Sequence, residues 1–354
     1  MTSEEMKNQA IVTPVRDAHL FNEKALVDYL TANLEGFRTP LQVKQFEGGQ
    51  SNPTFLLSSG GIKYVLRKKP PGKLLPSAHQ VEREYRVMQA LENTSVPVPK
   101  MLLLCENDAI IGTPFFVMEY VPGRVLGDLT LPDMKPQDRR EIYSDMIRVL
   151  ASLHSLNYVE LGLENYGKPG NYFSRQIGRW SKQYVAAKTE EIESMEKLMK
   201  YLPENVPEDD TSCIVHGDFR MENMLFHPTE PKVVALLDWE LSTLGHPLGD
   251  LGYSCMPYHG GIAGKLSLDG QAGPHTGIPT ESEFVAEYCR HTGREQIPNL
   301  NFYLAFSFFR LASILQGVYK RGIMGIASSS EALERGSLAR DVADVAWSLI
   351  ERTE

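Results

Sequence analysis

No stretch constrains this chain more than Ile214 to Asp238, IVHGDFRMENMLFHPTEPKVVALLD. A short apolar run, Ile214 and Val215, leads into His216, Gly217 and Asp218. Asn223 follows five residues after Asp218, and a second apolar run, Val233 to Leu237, ends on Asp238. The pattern predicts strand, tight polar loop, short strand, turn and strand, an order that brings Asp218, Asn223 and Asp238 to one edge of a sheet. Two carboxylates and an amide gathered in that way suit phosphoryl transfer. One carboxylate accepts the proton of an attacking hydroxyl; the other, with the amide oxygen, holds Mg²⁺ on the phosphates, because that cation takes hard oxygen ligands. A lone His-Gly-Asp is more simply a loop whose Asp and Asn cap turns, but the spacing of Asn223 and Asp238 argues against that reading.

The spacing resembles the catalytic loop of protein kinases and, more closely, the HGD-x-x-x-x-N loop of the aminoglycoside phosphotransferase family of small-molecule kinases. The HGDFR form at 216–220 and the GGQSN segment at 48–52 are similar to the kinase-like domains found fused to acyl-CoA dehydrogenases. Trp239 and Glu240 stand where protein kinases carry the Phe and Gly of D-F-G, which fits the small-molecule kinases better. The resemblance implies an α+β, two-lobed protein-kinase-like fold with a small antiparallel-sheet N-lobe and a mainly helical C-lobe. It implies ATP and Mg²⁺ as cofactors and a small-molecule hydroxyl as acceptor. In it Asp218 is the base, Arg220 touches the transferred phosphoryl group, Asn223 and Asp238 are the metal ligands, and His216 is structural. Asp250, closing Gly245-His246-Pro247-Leu248-Gly249-Asp250, matches a turn whose Asp braces the catalytic loop.

Upstream, Asn22 to Leu34 has helical spacing, and strand-like segments at 41–46, 54–58 and 63–67 predict an antiparallel meander. Val65 and Arg67 share a strand face; the resemblance puts Val65 over adenine and Arg67 on the phosphates, in place of the usual lysine. Arginine keeps the charge and forks onto phosphate oxygens. Gly48, Gly49, Gln50, Ser51 and Asn52 correspond to the loop folded over the ATP phosphates, where glycine lets backbone N–H groups approach closely. Glu84, on a helix expected over 78–91, corresponds to the acid that pairs with the strand cation. Glu119 and Val121 fall in the segment that resembles the hinge, whose backbone meets the adenine edge. Lys68 alternates to the opposite strand face and is expected to be solvated, as are Lys69 and Lys73.

The rest of the chain is predicted helical over 137–156, 171–202 (one long or broken helix), 282–291, 301–319 and 331–351, with a Gly- and Pro-punctuated loop over 256–280. His154 ends the first of these and is expected to be a satisfied structural histidine. Arg175, Arg179 and Lys182 form a basic face on the insert that the resemblance puts on the substrate side.

Composition narrows the partners. With 354 residues, 42% hydrophobic and 23% charged, the chain is long enough for two lobes. A net charge of −9 argues against nucleic acid or an anionic membrane surface as partner. The four cysteines are far apart with no C-x-x-C pair, so neither a zinc site nor a disulfide framework is indicated and a cytoplasmic protein is expected. No apolar run is long enough to suggest a membrane span, and the first residues do not form a signal peptide. The expected organisation is a flexible arm at 1–20, an N-lobe at 21–121 that binds nucleotide, and a C-lobe at 122–354 carrying catalytic loop, metal site and substrate side. The competing reading is a catalytically silent kinase-like nucleotide-binding module, which the arginine at 67 leaves open.

Overall fold

The structure is a computed structural model describing residues 11–47, 52–70, 79–260, 266–325 and 331–352. Its packing divides the chain into two compact units. The first comprises the chain up to Leu126, Val159–Tyr166 and Glu222–Ser242; the second comprises Gly127–Tyr158, Gly167–Met221 and the chain from Thr243 onward.

The first unit is organised by a six-stranded sheet. Its elements in chain order are β1 (Val12–Thr13), α1 (Glu23–Asn33), β2 (Leu41–Phe46), β3 (Thr54–Ser59), β4 (Ile62–Lys68), α2 (Val81–Leu91), β5 (Met101–Cys105) and β6 (Phe115–Glu119). The strands lie in the order β1-β2-β3-β4-β6-β5, each pair antiparallel. Period-two alternation sorts the side chains. Phe55, Leu57, Tyr64, Leu66, Phe115 and Val117 meet Leu26 and Leu30 of α1 in one buried cluster. The interleaved residues Thr54, Val65, Arg67, Phe116 and Met118 take the other face, with Arg67 opposite both Thr54 and Phe116 and Val65 opposite Met118. α2 packs against β5 and β6.

The second unit holds α3 (Pro136–His154), α4 (Tyr172–Ala187), α5 (Glu193–Glu204) and β7 (Cys213–Val215). The chain then returns to the first unit for the hairpin β8 (Met224–Phe226) and β9 (Val233–Leu236). Back in the second unit come β10 (Thr243–Gly245), α6 (Pro247–Cys255), α7 (Glu281–Thr292), α8 (Leu300–Ile323), α9 (Ala332–Ser337) and α10 (Ala339–Glu351). β10 pairs antiparallel with β7, and α8 packs against α4, α6, α9 and α10. Phe173 meets Phe302, Tyr303 and Phe306 with ring centroids 5.0–5.5 Å apart. α7 begins with a reciprocal cap between Thr280 and Glu283 and stops at Gly293, whose φ of +70° glycine adopts without strain.

Two expectations are corrected. The cut at 121, which gave the metal-site segment to the C-lobe, differs from the packing: 222–242 belongs to the first unit, because Arg124 and Phe226 exchange backbone hydrogen bonds and Leu236 N donates to the Pro97 carbonyl. Among the described residues one helix, α8, is long and apolar enough to cross a membrane by length and composition, although two thirds (67%) of that window is buried inside the protein. Its apolar surface is taken up as core, the ordinary use of such a helix. The segment 171–202, expected as one long or broken helix, takes the broken form, since the chain leaves helical geometry at Lys188 and re-enters after Ile192.

Candidate active site

The first unit carries a chain of buried polar groups on the α2 face of its sheet. Arg67 projects from β4, and its Nε lies 3.0 Å from Glu84 Oε2 on α2. Arg67 Nη2 donates to Asp238 Oδ1 at 2.5 Å, and Nη1 reaches Thr54 Oγ1 at 3.5 Å. Glu84 is 1% exposed, and its other oxygen accepts from Asn52 Nδ2 at 2.8 Å. Asn52 Oδ1 meets His79 Nδ1 at 3.0 Å. An amide that donates to a carboxylate presents its oxygen on the other side, so His79 carries its proton on Nδ1 here. Burial raises Glu84 to about 7, Arg67 opposing and Asp238 and Glu240 reinforcing the rise. Burial also works against the charge on Arg67, but Glu84 and Asp238 outweigh it and hold the guanidinium above its ordinary value.

Asp238 follows β9 in the left-handed region, at φ +64° and ψ +59°. Leu237 N donates to the Asn223 carbonyl at 2.8 Å, so Asn223 and Asp238 sit at the same end of the β8–β9 hairpin. An amide oxygen and a carboxylate are the donor types a hard cation takes. Asp238 Oδ1 belongs to Arg67, while Oδ2 has no hydrogen-bond partner among the described residues and the side chain is 34% exposed. The pair therefore fits a Mg²⁺ ion.

A cavity of about 160 Å³ opens on this face. Val65, Arg67, Glu84, Glu119, Val121 and Asp238 are among its lining residues, with Met88, Phe116 and Met118 supplying apolar wall. The apolar wall suits a flat heterocycle and the Arg67 end suits anions. The Glu119 carboxylate accepts from Lys100 N at 3.0 Å, so Glu119 ties down the neighbouring loop.

The second unit holds the His216-Gly217-Asp218 loop. Gly217 has φ +83°, a conformation side chains resist. Asp250 of α6 accepts from His216 N at 2.6 Å and Gly217 N at 2.9 Å. His154 Nε2 lies 3.4 Å from the Asp250 carboxylate, and its Nδ1 meets the Tyr288 hydroxyl at 2.8 Å. Asp218 N donates to His216 Nδ1 at 3.2 Å. Arg310 of α8, 8% exposed, donates to the Gly217 carbonyl at 2.6 Å. Tyr253 Oη donates to Asp218 Oδ1 at 2.6 Å, while Arg220 Nε lies 3.4 Å from Oδ2.

The structure thus brings Arg67, Glu84 and Asp238 together in one unit, and Asp218 and Arg220 together in the other. Gly48, Gly49, Gln50 and Ser51 lie outside the described residues, as does Lys73. Of the segment assigned to the phosphates only Asn52 is described, and its fully buried side chain is held by Glu84 and His79. Lys68 is corrected. It is 3% exposed, its ammonium stands 5.7 Å from the Phe21 ring centroid, and burial lowers its proton affinity. Alternation gave its face correctly but not that α1 and the segment before it cover that face. Lys69 is partly covered and pairs with Glu82 at 2.9 Å. Sequence reasoning missed Tyr253 and Arg310. Tyr253 follows Asp250 by three residues on a helix, which puts both on one side; nothing local marks Arg310.

A model of the phosphotransferase enzyme family matches residues 42–287. Acyl-CoA dehydrogenase family member 10 of Mus musculus is 47% identical over 337 residues, which is 94% of this chain and 32% of the relative. Acyl-CoA dehydrogenase family member 11 of Homo sapiens is 44% identical over 341 residues, covering 95% of this chain and 44% of the relative. The chain therefore spans less than half the length of these relatives. A crystal structure from Ralstonia eutropha JMP134, provisionally named an aminoglycoside phosphotransferase, superposes with a TM-score of 0.87 at 49% identity over 94% of this chain and 99% of that one. A thermostable mutant of aminoglycoside phosphotransferase APH(4)-Ia, in ternary complex with ADP and hygromycin B, gives 0.61 at 14% identity over 92% and 98%, a likeness of fold alone. The fold is that of the kinase-like phosphotransferases, with an antiparallel sheet toward the N-terminus and a mostly helical remainder.

Proposed function

We propose that this chain, which belongs to the phosphotransferase enzyme family, is a small-molecule kinase that moves the γ-phosphoryl group of ATP, with Mg²⁺, to an alcohol hydroxyl. The observation that carries the reading is the placement of Arg67, Glu84 and Asp238 at one end of a cavity whose other wall is apolar. Arg67 offers phosphate oxygens a fixed cation, which Glu84 orients and Asp238 shares. Val65, Phe116 and Met118 cover the base, and the backbone near Glu119 and Val121 meets its edge. Asn223 and Asp238 would hold the metal. Bound there, the ion would supply positive charge to the phosphate oxygens. Asp218 orients the acceptor hydroxyl and takes its proton, and Arg220 beside it neutralises the phosphoryl group being transferred.

The acceptor in this reading is neutral or anionic, a hydroxyacyl thioester of coenzyme A being the first candidate. The loop over 257–280 contributes one acid, Asp269, whereas α4 contributes Arg175, Arg179 and Lys182. A polycationic antibiotic needs clustered carboxylates to replace its lost hydration. The names of the relatives, which couple this kind of domain to acyl-CoA dehydrogenases, point the same way. Four free, buried cysteines support a cytoplasmic setting.

The test is transfer of labelled phosphate from ATP across alcohols, amino alcohols, sugars, aminoglycosides and hydroxyacyl thioesters. Saturable transfer to a thioester supports the whole reading. Saturable transfer to aminoglycosides alone overturns the acceptor class, and tight nucleotide binding without turnover on any acceptor selects a silent binding module.

A further inference from the structure

We propose that Tyr253 is a positioning residue for this transfer: its phenol holds Oδ1 of Asp218, which presents Oδ2, the oxygen beside Arg220, to the acceptor hydroxyl. The proposal rests on the reading of Asp218 as the base. One short helix does most of the arranging. From α6, Asp250 takes the backbone N–H groups of His216 and Gly217, Tyr253 takes the Asp218 carboxylate, and Ser254 Oγ donates to the Phe219 carbonyl at 3.1 Å. Every residue from 216 to 219 is thereby fixed from the same helix.

The phenol is itself held in place. The Arg310 guanidinium stands 5.6 Å from the Tyr253 ring centroid and 5.6 Å from that of Trp180, while its Nη2 grips the Gly217 carbonyl. α6 lies close enough to α8 for this because Gly252 has no side chain: a Cβ there would come within 2.7 Å of the Tyr303 carbonyl oxygen. Burial, and then the charge of Asp218, keep the phenol well above its ordinary proton affinity, so it remains a donor at any working pH. An aspartate with both oxygens loose rotates about its terminal torsion and accepts water from several directions; a phenol on Oδ1, with Arg220 beside Oδ2, restricts that rotation.

The experiment uses Tyr253→Phe, which keeps the ring over Arg310 and removes only the hydroxyl, and Tyr253→His, which keeps a ring and a donor. Two readouts are taken on the full chain: carbodiimide labelling of Asp218 followed by peptide mass spectrometry, and Mg²⁺-ATP turnover with the acceptor found above or with water. Asp218 labelling should rise several-fold in Tyr253→Phe while Asp250 labelling holds. Turnover should fall about 10- to 100-fold with the nucleotide KM unchanged, and Tyr253→His should recover part of it. Unchanged labelling, or unchanged kcat with raised labelling, overturns the proposal. Phosphate found on Tyr253 after incubation with Mg²⁺-ATP alone also overturns it, because the phenol would then be an acceptor. A wild-type chain that neither phosphorylates nor hydrolyses overturns the kinase reading, and this inference with it.

Discussion

Glu84 offers a direct measure of whether burial or ion pairing governs the polar chain beside the cavity. It is 1% exposed and faces Arg67, yet its carboxyl is raised from 4.5 to about 7, burial being the largest cause. The folded value lies above the unfolded one, so between these pH values the folded chain binds more protons and the group's contribution to stability falls as pH rises. At about 1.4 kcal/mol per tenfold change in proton affinity, the fall amounts to about 3 kcal/mol across the window. Glu84→Gln is nearly isosteric and mimics the protonated acid, so it removes the titration. The variant should lie close to wild type near the lower end of the window and gain on it by about 3 kcal/mol above the upper end. Because a chain of two compact units has no single two-state transition, the assay is hydrogen exchange of β3, β4 and α2 amides in both proteins at matched pH. Variant minus wild type at each pH cancels the intrinsic exchange rate. A flat difference, or one that runs against the variant as pH rises, would show that Arg67 outweighs burial and refute the reasoning.

Asp238→Ala should abolish Mg²⁺-nucleotide turnover while circular dichroism stays native; normal turnover would remove Asp238 from the metal site. Asp218→Asn should lower kcat by about 10²- to 10⁴-fold with little change in nucleotide affinity measured by calorimetry. Arg67→Ala and Glu84→Ala, read on nucleotide affinity, should depart from additivity by about 0.5–3 kcal/mol in a double-mutant cycle, since the two side chains touch at 3.0 Å. Gly252→Ala should destabilise the second unit by about 1–3 kcal/mol, read from hydrogen exchange of α6 and α8 amides, because its methyl group would meet the Tyr303 backbone.

Periodicity made much of this molecule legible. Alternation placed Val65 and Arg67 on one face of β4, and helical spacing found α3 within one or two residues, because one-sided burial imposes those periods. The pairing of Arg67 with Glu84 was reachable because both stand on regular elements. What escaped depends on partners distant in sequence. Asn52 looks like a loop residue until Glu84 and His79 close on it, 32 and 27 positions away. Lys68 looks solvated until α1 is seated. Arg310, 93 residues beyond the carbonyl it holds, lies in the middle of an apolar helix, where a buried cation usually needs a reason that local sequence does not supply. The hairpin at 224–236 left the expected lobe because its hydrogen bonds run to Pro97 and Arg124, and such pairings have no local signature.

The arginine on β4 also determines which reagents can find this protein. Nucleotide-shaped acylating probes report kinases by leaving a tag on an amine next to the phosphates. A guanidinium that stays protonated is no nucleophile, and the nearest amine along the strand, Lys68, faces Phe21 on the opposite side of the sheet. A survey that counts kinases by tags at that strand position would find no amine to mark there, even with the cavity beside Arg67 filled. Capture by an immobilised nucleotide, which asks only for binding, would retain the chain.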